Sequence, residues 1–534
     1  MLPVPRTPHS VRTDFFRSLP TTGVPMTKLS RSALPTLPAG YEPVAYDLAE
    51  VSPGIVHIGL GGFHRAHMAR YTHDLMGLDA EARCWGIQGA GLRASDAPLL
   101  HALDEQDGLY TLVEREAETE NRALIGSIVA TIDASGSTEA LLAAIDDPRT
   151  RIVSATVTEN GYHLDRATRQ LDLHSDAVAA DIAEPRAPRT LPGILVEAYR
   201  RRRDRGRPPF TALSCDNIQH NGNVLKAAVL KLARQQDGDL ADWIDSNARF
   251  PNSMVDRITP VPTAEDIESH ARDTGIDDRA SLSAELFRQW VIEDDFVAGR
   301  PAWEKVGAQF VEDVTPYEFM KLRLLNASHL GVSALGQLSG YGLVSDAVGD
   351  DLIRRYMVAL MDRELGPTLM PVPGIDLPAY KSRLVARFAN RAIRDTTQRV
   401  NTDAPVNVLL DPLRDRLAAD EPIDLLALGL AAWLRRACGT DEHGAAIEVV
   451  HPMAALLAEK AEAGGRDPAP LLSIETLFGD LGQDPRVLAA VGDWLGSIYE
   501  IGTRATIETA AARGLFDAPI EAPGSATVTN AAGE

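Results

Sequence analysis

Residues 54–76, GIVHIGLGGFHRAHMARYTHDLM, decide the predicted fold of the N-terminal half of the chain. A short apolar strand is followed by a glycine turn at Gly59 and Gly61 and then by a helical pattern. This order is typical of the first βα unit of a dinucleotide-binding fold. Glycines at these places permit a tight turn and let backbone amides approach a pyrophosphate at the helix N-terminus.

The glycine motif of this unit is incomplete. His64 stands where the third glycine of GxGxxG usually falls, so a glycine turn without a ligand is the alternative interpretation. His64 and His67 are three residues apart, a spacing that metal ligands can have. No third ligand accompanies them, so we expect these histidines to be structural or to face phosphates.

A second strand is predicted over 84–88, and Asp96 follows it. Asp96 is the acid best placed to bond the adenosine ribose hydroxyls, although it comes later than the usual spacing of about 20 residues. Ser95 beside it is neutral, and Arg93 supplies a cation of the kind that an NADP pocket uses. The choice between NAD and NADP therefore stays open at this point.

Two further strands are predicted over 151–158 and 210–215, where β-branched and apolar residues cluster. Ligands of open α/β sheets bind outside the carboxyl ends of the strands. Asn217 follows the second of these strands, so it could hold a substrate or the nicotinamide amide. The alternative is an Asx turn that caps the helix predicted to start near Asn221.

A proline-bracketed segment, FPNSMVDRITPVP at 250–262, is centred on Asp256 and Arg257. The simplest interpretation of the two charged residues is a surface ion pair.

A buried helix is predicted over 315–340, TPYEFMKLRLLNASHLGVSALGQLSG. Thr315 can serve as its N-cap, Glu318 lies where a capping box needs a carboxylate, and Gly340 is a natural stop. Apolar residues are spread around the helix and do not form one stripe, which indicates burial on most sides.

Three polar residues nevertheless lie in this helix. At about 100° per residue, Lys321, His329 and Asn326 fall near 0°, 80° and 140°, so all three share one sector. Burial lowers the pKa of a lysine, as a general base that works near neutral pH requires. The alternative is a lysine that reaches solvent, an asparagine bonded to a loop and a satisfied core histidine.

The composition is that of a soluble globular protein of two to four domains. The chain has 534 residues, 45% hydrophobic and 24% charged, and its formal net charge is 53 − 75 = −22. This charge argues against binding nucleic acid or an anionic membrane. We expect the one basic run, 200–207, to lie at a helix C-terminus.

Three cysteines, Cys84, Cys215 and Cys438, are widely spaced and encode neither a disulfide framework nor a metal site. A reducing cytoplasmic location fits this usage best. The apolar run 425–434 is too short to span a bilayer, and no secretory signal is recognised. The sequence carries no signal for oligomeric state.

The predicted architecture is α/β: a Rossmann-type dinucleotide-binding N-terminal domain followed by a mainly α-helical C-terminal domain. We place a disordered extension at 1–40, the Rossmann-type domain at 41–312, the helical domain at 313–516 and a disordered tail at 517–534. Loops at 367–378 and 403–412 are expected to interrupt the helices. The cleft between the domains is the default active site.

Seven segments together resemble the polyol-specific long-chain dehydrogenases, a family that includes mannitol 2-dehydrogenases and fructuronate reductases. They are GIVHIGLGGFHRAH, TVTENGY, SCDNIQHNG, FPNSMVDRITP, QWVIEDDFVAGRPAWEKVGAQF, DVTPYEFMKLRLLNASH and RFANRAIRDTTQRV. The likeness runs from about residue 43 to 516. It implies metal-independent, NAD-linked oxidation of a secondary alcohol of a polyol, D-mannitol to D-fructose in the first place, with the ketose as the other substrate.

The resemblance also implies residue roles. Lys321 would be the general base, Asn217 and Asn326 would bond the developing alkoxide or carbonyl oxygen, and His329, Asp256 and Arg399 would orient the polyol chain. The cofactor contacts assigned to the first βα unit and the second strand are Gly59, Gly61, Phe63, His64, Arg65 and Asp96.

Two departures from the family pattern bear on specificity. Asn407 stands where relatives have a lysine that reaches the substrate, which weakens a case for a carboxylated sugar. Ser95 stands where mannitol enzymes tend to carry an acid. The second candidate within the family is a hexuronate reductase acting between fructuronate and mannonate. Outside this class, the altered segment after Arg399 permits a catalytically inactive nucleotide-binding protein.

Overall fold

The computed structural model describes residues 26–165 and 168–517, and its compact units divide between Glu318 and Phe319. We call them the N-terminal unit and the C-terminal unit. Residues 1–25 of the predicted extension and residues 518–534 of the predicted tail lie outside the described residues.

The strands are β1 Thr27–Lys28, β2 Tyr41–Glu42, β3 Pro53–Ile58, β4 Gly86–Gly91, β5 Tyr110–Glu116, β6 Thr119–Ile125, β7 Ile128–Asp133, β8 Ile152–Ala155, β9 Thr211–Ser214, β10 Ser253–Asp256, β11 Ile276–Asp277, β12 Leu282–Glu285, β13 Gln289–Glu293 and β14 Gln309–Val311. The α-helices are α1 Gly62–Ala66, α2 Met68–Leu78, α3 Ala97–Glu105, α4 Glu139–Asp146, α5 Asp176–Ala183, α6 Leu191–Asp204, α7 Asn221–Gln236, α8 Gly238–Asn247, α9 Ala264–Thr274, α10 Thr315–Met320, α11 Ser328–Leu338, α12 Val344–Gly349, α13 Asp351–Ala359, α14 Leu377–Phe388, α15 Thr397–Asp403, α16 Asn407–Ala418, α17 Asp424–Arg436, α18 Ala454–Gly464, α19 Ala469–Leu472, α20 Glu475–Phe478, α21 Pro485–Ile501 and α22 Thr503–Ala512.

The main sheet of the N-terminal unit confirms the Rossmann-type prediction. Its five strands are all parallel and lie in the order β7-β4-β3-β8-β9. Numbered along the chain this is 3-2-1-4-5, so the strand order reverses between β3 and β8. Ligands of doubly wound sheets bind at such a reversal, outside the carboxyl ends of the strands.

Alternate side chains of β3 pack into two different hydrophobic clusters, one on each face of the sheet. Ile55 belongs to one hydrophobic cluster and Val56 to another, because successive side chains of a strand point to opposite faces. Such continuous apolar runs are typical of parallel strands covered on both sides.

The N-terminal segment departs from the predicted extension at 1–40. Thr27 and Lys28 pair in parallel with β11, and Leu29 is fully buried in the hydrophobic cluster that contains Ile55. These contacts attach the start of the described chain to the N-terminal unit.

In the described part of the C-terminal unit, the named regular elements are all helices. Helix α17 is buried along its whole length and packs against α11 and α21. The predicted loop at 403–412 is wrong, since α16 already begins at Asn407 and contains Pro412. Burial of Leu409, Leu410 and Leu413 on one side of α16 outweighs the missing amide of the proline. Among the described residues, no helix has both the length and the apolar composition to cross a bilayer.

A buried acid holds the start of α17. The Glu364 carboxylate accepts hydrogen bonds from the backbone amides of Leu425 at 2.8 Å and Leu426 at 2.7 Å, which a helix N-terminus leaves without intrahelical partners. Burial raises the pKa of Glu364 to about 7.

The basic run at 200–207 lies at the end of α6, as predicted, and its charges are engaged. Arg202 is buried, and its guanidinium donates to the carbonyls of Ile145, Asp147 and Thr150 at the end of α4 and just beyond it. The other arginines form ion pairs: Arg200 with Glu197, Arg201 with Glu139, Arg203 with Asp237, and Arg205 and Arg207 with Asp146.

The predicted helix at 315–340 is interrupted. It consists of α10, a π-helical segment Lys321–Ala327, and α11. The amide of Thr315 donates to the Asp313 carboxylate at 2.8 Å, so the capping side chain lies two residues before the predicted one. Gly340 has φ +87° and ends the helical region as predicted.

Candidate functional site

The glycine turn after β3 has the form of a dinucleotide cradle. Gly59 has φ +94°, and a Cβ atom there would lie 2.1 Å from the Thr156 carbonyl oxygen, so only glycine fits. Gly61 differs, because a Cβ there would meet no atom closer than the Gly59 carbonyl oxygen at 3.8 Å. The turn is thus closed toward β8 and open above Gly61, as a bound pyrophosphate requires.

Two buried imidazoles support this turn. His57 bonds Ser154 Oγ at 2.8 Å and Thr156 Oγ1 at 2.9 Å, which ties β3 to the end of β8. The His64 ring stacks on His57 with centroids 3.4 Å apart. Burial lowers the pKa of both rings, and for His57 the pKa falls to about 3, so the stacked pair is neutral.

Phe63, Arg65 and His67 complete the first helix. Phe63 stacks on His67, whose Nε2 donates to the Gln289 carbonyl oxygen at 3.0 Å. The Arg65 guanidinium is buried and donates to the Ala280 carbonyl oxygen. The cofactor roles assigned to Phe63, His64 and Arg65 stay predictions. Within residues 26–165 and 168–517, no three His, Cys, Asp or Glu side chains gather as metal ligands would.

Asp96 lies beside the end of β4, where the ribose-binding acid of a Rossmann-type fold is expected. A Cβ atom on Gly91, the last residue of β4, would be 2.7 Å from the Asp96 Cβ. The Arg93 guanidinium donates to Asp96 Oδ1 at 2.9 Å. The acid and the cation that bear on cofactor choice are therefore bonded to each other.

Asn217 is exposed just beyond β9, at the carboxyl edge of the sheet. Helix α7 starts at Asn221 as predicted, and its N-cap is His220, so Asn217 is not the capping residue of that helix. Asp216 beside it is buried. A side chain at this place lies at the edge of the sheet where ligands of doubly wound folds bind.

Asp256 is the last residue of β10 and is buried, as is Arg257. The Arg257 guanidinium donates to Glu114 at 2.6 Å and to the Glu285 carbonyl oxygen. The interpretation of Asp256 and Arg257 as a surface ion pair is therefore wrong. The pairing of β10 with β13 places Asp256 in the interior, and Arg257, which follows the strand, is buried beside it.

In the C-terminal unit, Lys321 and Asn326 share the π-helical segment. Lys321 opens the segment and is only 7% exposed. Hydrogen bonds of a π-helix join residues five apart, and Lys321 and Asn326 have this spacing, so they lie closer to one face than an α-helix would place them. Ser328 Oγ donates to the Leu325 carbonyl oxygen at 3.2 Å and thus supports the end of the wide turn.

His329 and Arg399 meet at a buried acid, Asp395. Arg399 donates to both Asp395 oxygens at 2.6 Å, and His329 Nε2 lies 3.5 Å from Asp395. The His329 ring also stacks on Phe388 with centroids 4.3 Å apart. The structure therefore brings together two of the predicted substrate-orienting residues.

Sequence reasoning missed Asp395 and Asp216. Asp395 precedes Arg399 by four residues, a spacing at which opposite charges pair on a helix, so this signal was available. Asp216 precedes Asn217, but nothing in the sequence told which residues it bonds. Glu318 was read as a capping residue, whereas its carboxylate accepts the backbone amide of His220 at 3.0 Å.

Two family models match this chain. Residues 53–305 match the family model "Mannitol dehydrogenase Rossmann domain" and residues 313–499 match "Mannitol dehydrogenase C-terminal domain". The chain is 42% identical over 468 residues to the D-mannonate oxidoreductase of Escherichia coli (strain K12), covering 86% of this chain and 96% of that protein.

Two further relatives are similar over comparable lengths. A mannitol 2-dehydrogenase of Phaeosphaeria nodorum is 39% identical over 469 residues, covering 86% of this chain and 82% of that protein. The solved structure of Pseudomonas fluorescens mannitol 2-dehydrogenase, a ternary complex with NAD and D-mannitol, is 40% identical with a TM-score of 0.84 and covers 91% of this chain and 100% of that chain.

Proposed function

The chain belongs to the mannitol dehydrogenase family, and we propose that it interconverts D-mannitol and D-fructose. It is an NAD-dependent polyol dehydrogenase. Bound NAD supplies a hydride acceptor, and the cradle of Gly59 and Gly61 with Asp96 fits such a dinucleotide. The observation that carries the proposal is the buried Lys321, held with Asn326 in a π-helical turn.

Lys321 is assigned the role of general base. The residue is 7% exposed, and in this role its amine accepts the proton of the substrate hydroxyl. Loss of that proton is what allows the carbon-bound hydrogen to leave as hydride. In the reverse direction the same ammonium returns the proton to the carbonyl oxygen.

Asn217 and Asn326 are assigned to the reacting oxygen. Their amide groups can donate hydrogen bonds to the negative charge that develops there, and a preorganised donor of this kind is often worth ~3 kcal/mol. Arg399, His329 and Asp256 are assigned to the remaining hydroxyls of the chain. Arg399 and His329 share Asp395, so the two substrate contacts are oriented by one acid.

A second candidate is oxidation of D-mannonate. The observation that favours it is the identity with the Escherichia coli D-mannonate oxidoreductase, which is as high as that with the mannitol enzymes. Against it stands Asn407, exposed on the first turn of α16, where a cation for the carboxylate would be expected from the family pattern.

The test is an NADH absorbance assay at 340 nm with D-mannitol, other alditols and D-mannonate, each with NAD and with NADP. We expect the highest kcat/KM with D-mannitol and NAD, and unchanged activity after treatment with a chelator. Turnover of D-mannonate alone would select the second candidate. Absence of turnover with every polyol would refute the proposed reaction.

A further inference from the structure

Asp216 connects the ends of two neighbouring strands of the main sheet. It follows β9, and its buried carboxylate accepts hydrogen bonds from residues that follow β8. Oδ1 accepts from the Thr158 amide at 2.7 Å, and Oδ2 accepts from the Val157 amide at 3.2 Å and from the Tyr162 hydroxyl at 2.8 Å. Tyr162 also bonds Ser214 Oγ at 2.6 Å. One side chain thus holds the whole turn after β8 against the end of β9.

The residue that Asp216 holds is strained. Thr158 has φ 64° and ψ 169°, a backbone conformation that almost only glycine adopts. Thr158 is β-branched, so its own side chain opposes this conformation. Such strain persists only where the surroundings impose it, and the shortest bond that the Thr158 amide makes is to Asp216.

The strained turn borders the proposed cofactor site. The strand order reverses between β3 and β8, and Thr156 at the end of β8 packs against Gly59 of the glycine turn. On the other side, Asp216 is followed directly by Asn217. The Asp216 carbonyl oxygen accepts from Asn221 Nδ2 at 2.9 Å, which fixes the backbone that leads to Asn217.

We infer that Asp216 is a positioning residue for NAD: it imposes the strained backbone at Thr158 and so shapes the wall of the cofactor crevice beside Asn217. This inference rests on the proposed function, because it needs the crevice to hold a dinucleotide. Asp216 itself does not have to touch the cofactor. Its effect is transmitted through the Thr158 backbone.

A rescue experiment separates this role from a merely structural one. In Asp216→Ala the bond to the Thr158 amide is lost, so the backbone relaxes, and the Kd for NADH should rise about tenfold. Glycine reaches the same conformation without strain, so adding Thr158→Gly to Asp216→Ala should restore much of the affinity. Alanine keeps the Cβ atom that causes the strain, so Thr158→Ala in the same background should not restore it.

The readout is the fluorescence of NADH titrated into each intact variant, with melting temperatures measured in parallel. Asp237→Ala is the control for general destabilisation, because Asp237 caps α8 through the Leu240 amide at 3.0 Å. It should lower the melting temperature and leave the Kd unchanged. If Asp216→Ala does not fold, Thr158→Gly alone still decides: it should raise the melting temperature and keep the wild-type Kd.

An unchanged Kd in folded Asp216→Ala would overturn the inference, as would equal rescue by glycine and alanine, or a Thr158→Gly variant that is no more stable than the wild type. The proposed function fails in a different way. If the wild-type protein binds NADH but oxidises no polyol, the reaction is wrong and the positioning role stands. If the wild type binds no NADH, both are wrong.

Discussion

The candidate site residues of the N-terminal unit and those of the C-terminal unit are arranged in different ways. In the N-terminal unit, the site consists of strand ends and turns, and its shape is set largely by backbone: a glycine at φ +94°, a strained threonine and an acid that bonds two amides. In the C-terminal unit, the site consists of side chains on one interrupted helix and on a neighbouring one. In the N-terminal unit, a substitution that adds atoms should therefore have the larger effect. In the C-terminal unit, a substitution that removes a functional group should have the larger effect.

The largest effect on activity is expected in the C-terminal unit. Lys321→Ala should lower kcat by roughly 10²–10⁴-fold, because the proton acceptor is removed, while the Kd for NADH changes little. Lys381→Ala is a matched control, since this lysine lies in the same unit and pairs with Asp362 at 2.8 Å. It should keep full activity. Near-normal turnover by Lys321→Ala would show that the base is another group.

Substitution of Gly59 and Gly61 tests how the backbone of the N-terminal unit shapes the proposed NADH site. Gly61→Ala should raise the Kd for NADH at least tenfold without lowering the melting temperature, because the space above Gly61 is open in the protein and needed by the ligand. Gly59→Ala should lower the melting temperature as well, since its Cβ atom would meet the Thr156 carbonyl oxygen. Fluorescence titration and thermal unfolding measure the two effects. A destabilised Gly61→Ala would contradict the difference drawn between the two positions.

Asp395→Asn tests whether Asp395 orients Arg399 and His329 in the C-terminal unit. The change removes the charge that holds Arg399 and faces His329, and hydrogen bonds to charged groups are worth about 1.5–3 kcal/mol. The KM for the polyol should therefore rise about tenfold, with a smaller change in kcat. Asp403→Asn is the control, because Asp403 is an exposed partner of Arg399 at 3.3 Å. Equal effects of the two variants in steady-state kinetics would argue against a special role for Asp395.

The last prediction concerns stability and pH, and does not involve activity. The pKa of Glu364 is raised to about 7 in the folded protein from an ordinary value of 4.5, so the folded state holds this proton more tightly than the unfolded chain does. The resulting stabilisation is complete below about pH 4.5 and is lost as the pH rises through about 7, up to about 3 kcal/mol in total. Urea unfolding between pH 5 and 8 should show a steeper loss for the wild type than for Glu364→Gln. Parallel pH profiles would disprove this assignment.

The features that could be predicted from the sequence are those encoded by contiguous residues. The Rossmann-type sheet was predictable because β3, its glycine turn and its helix are contiguous, and their apolar pattern is local. Lys321, Asn326 and His329 were found because they lie within nine residues of one helical pattern. Their relative placement was not found, since a π-helical turn has no sequence rule as simple as the 3.6-residue period.

The missed features depend on contacts between distant segments. Asp216 bonds amides about 60 positions earlier in the chain, and no local pattern encodes such a pair. The interior location of Asp256 and Arg257 arises from the pairing of β10 with β13. Asn407 was placed in the predicted loop 403–412, whereas it begins α16, whose buried leucines pack against the rest of the unit.

The arginines at the end of α6 have a consequence for how the protein behaves among polyanions. Each of them is neutralised by an acid or used to satisfy carbonyl oxygens, so the run offers little attraction to heparin or RNA despite its composition. The net charge of −22 is therefore not offset by a positively charged patch at the end of α6. We expect the protein to bind firmly to an anion exchanger and to pass through a heparin column unretained.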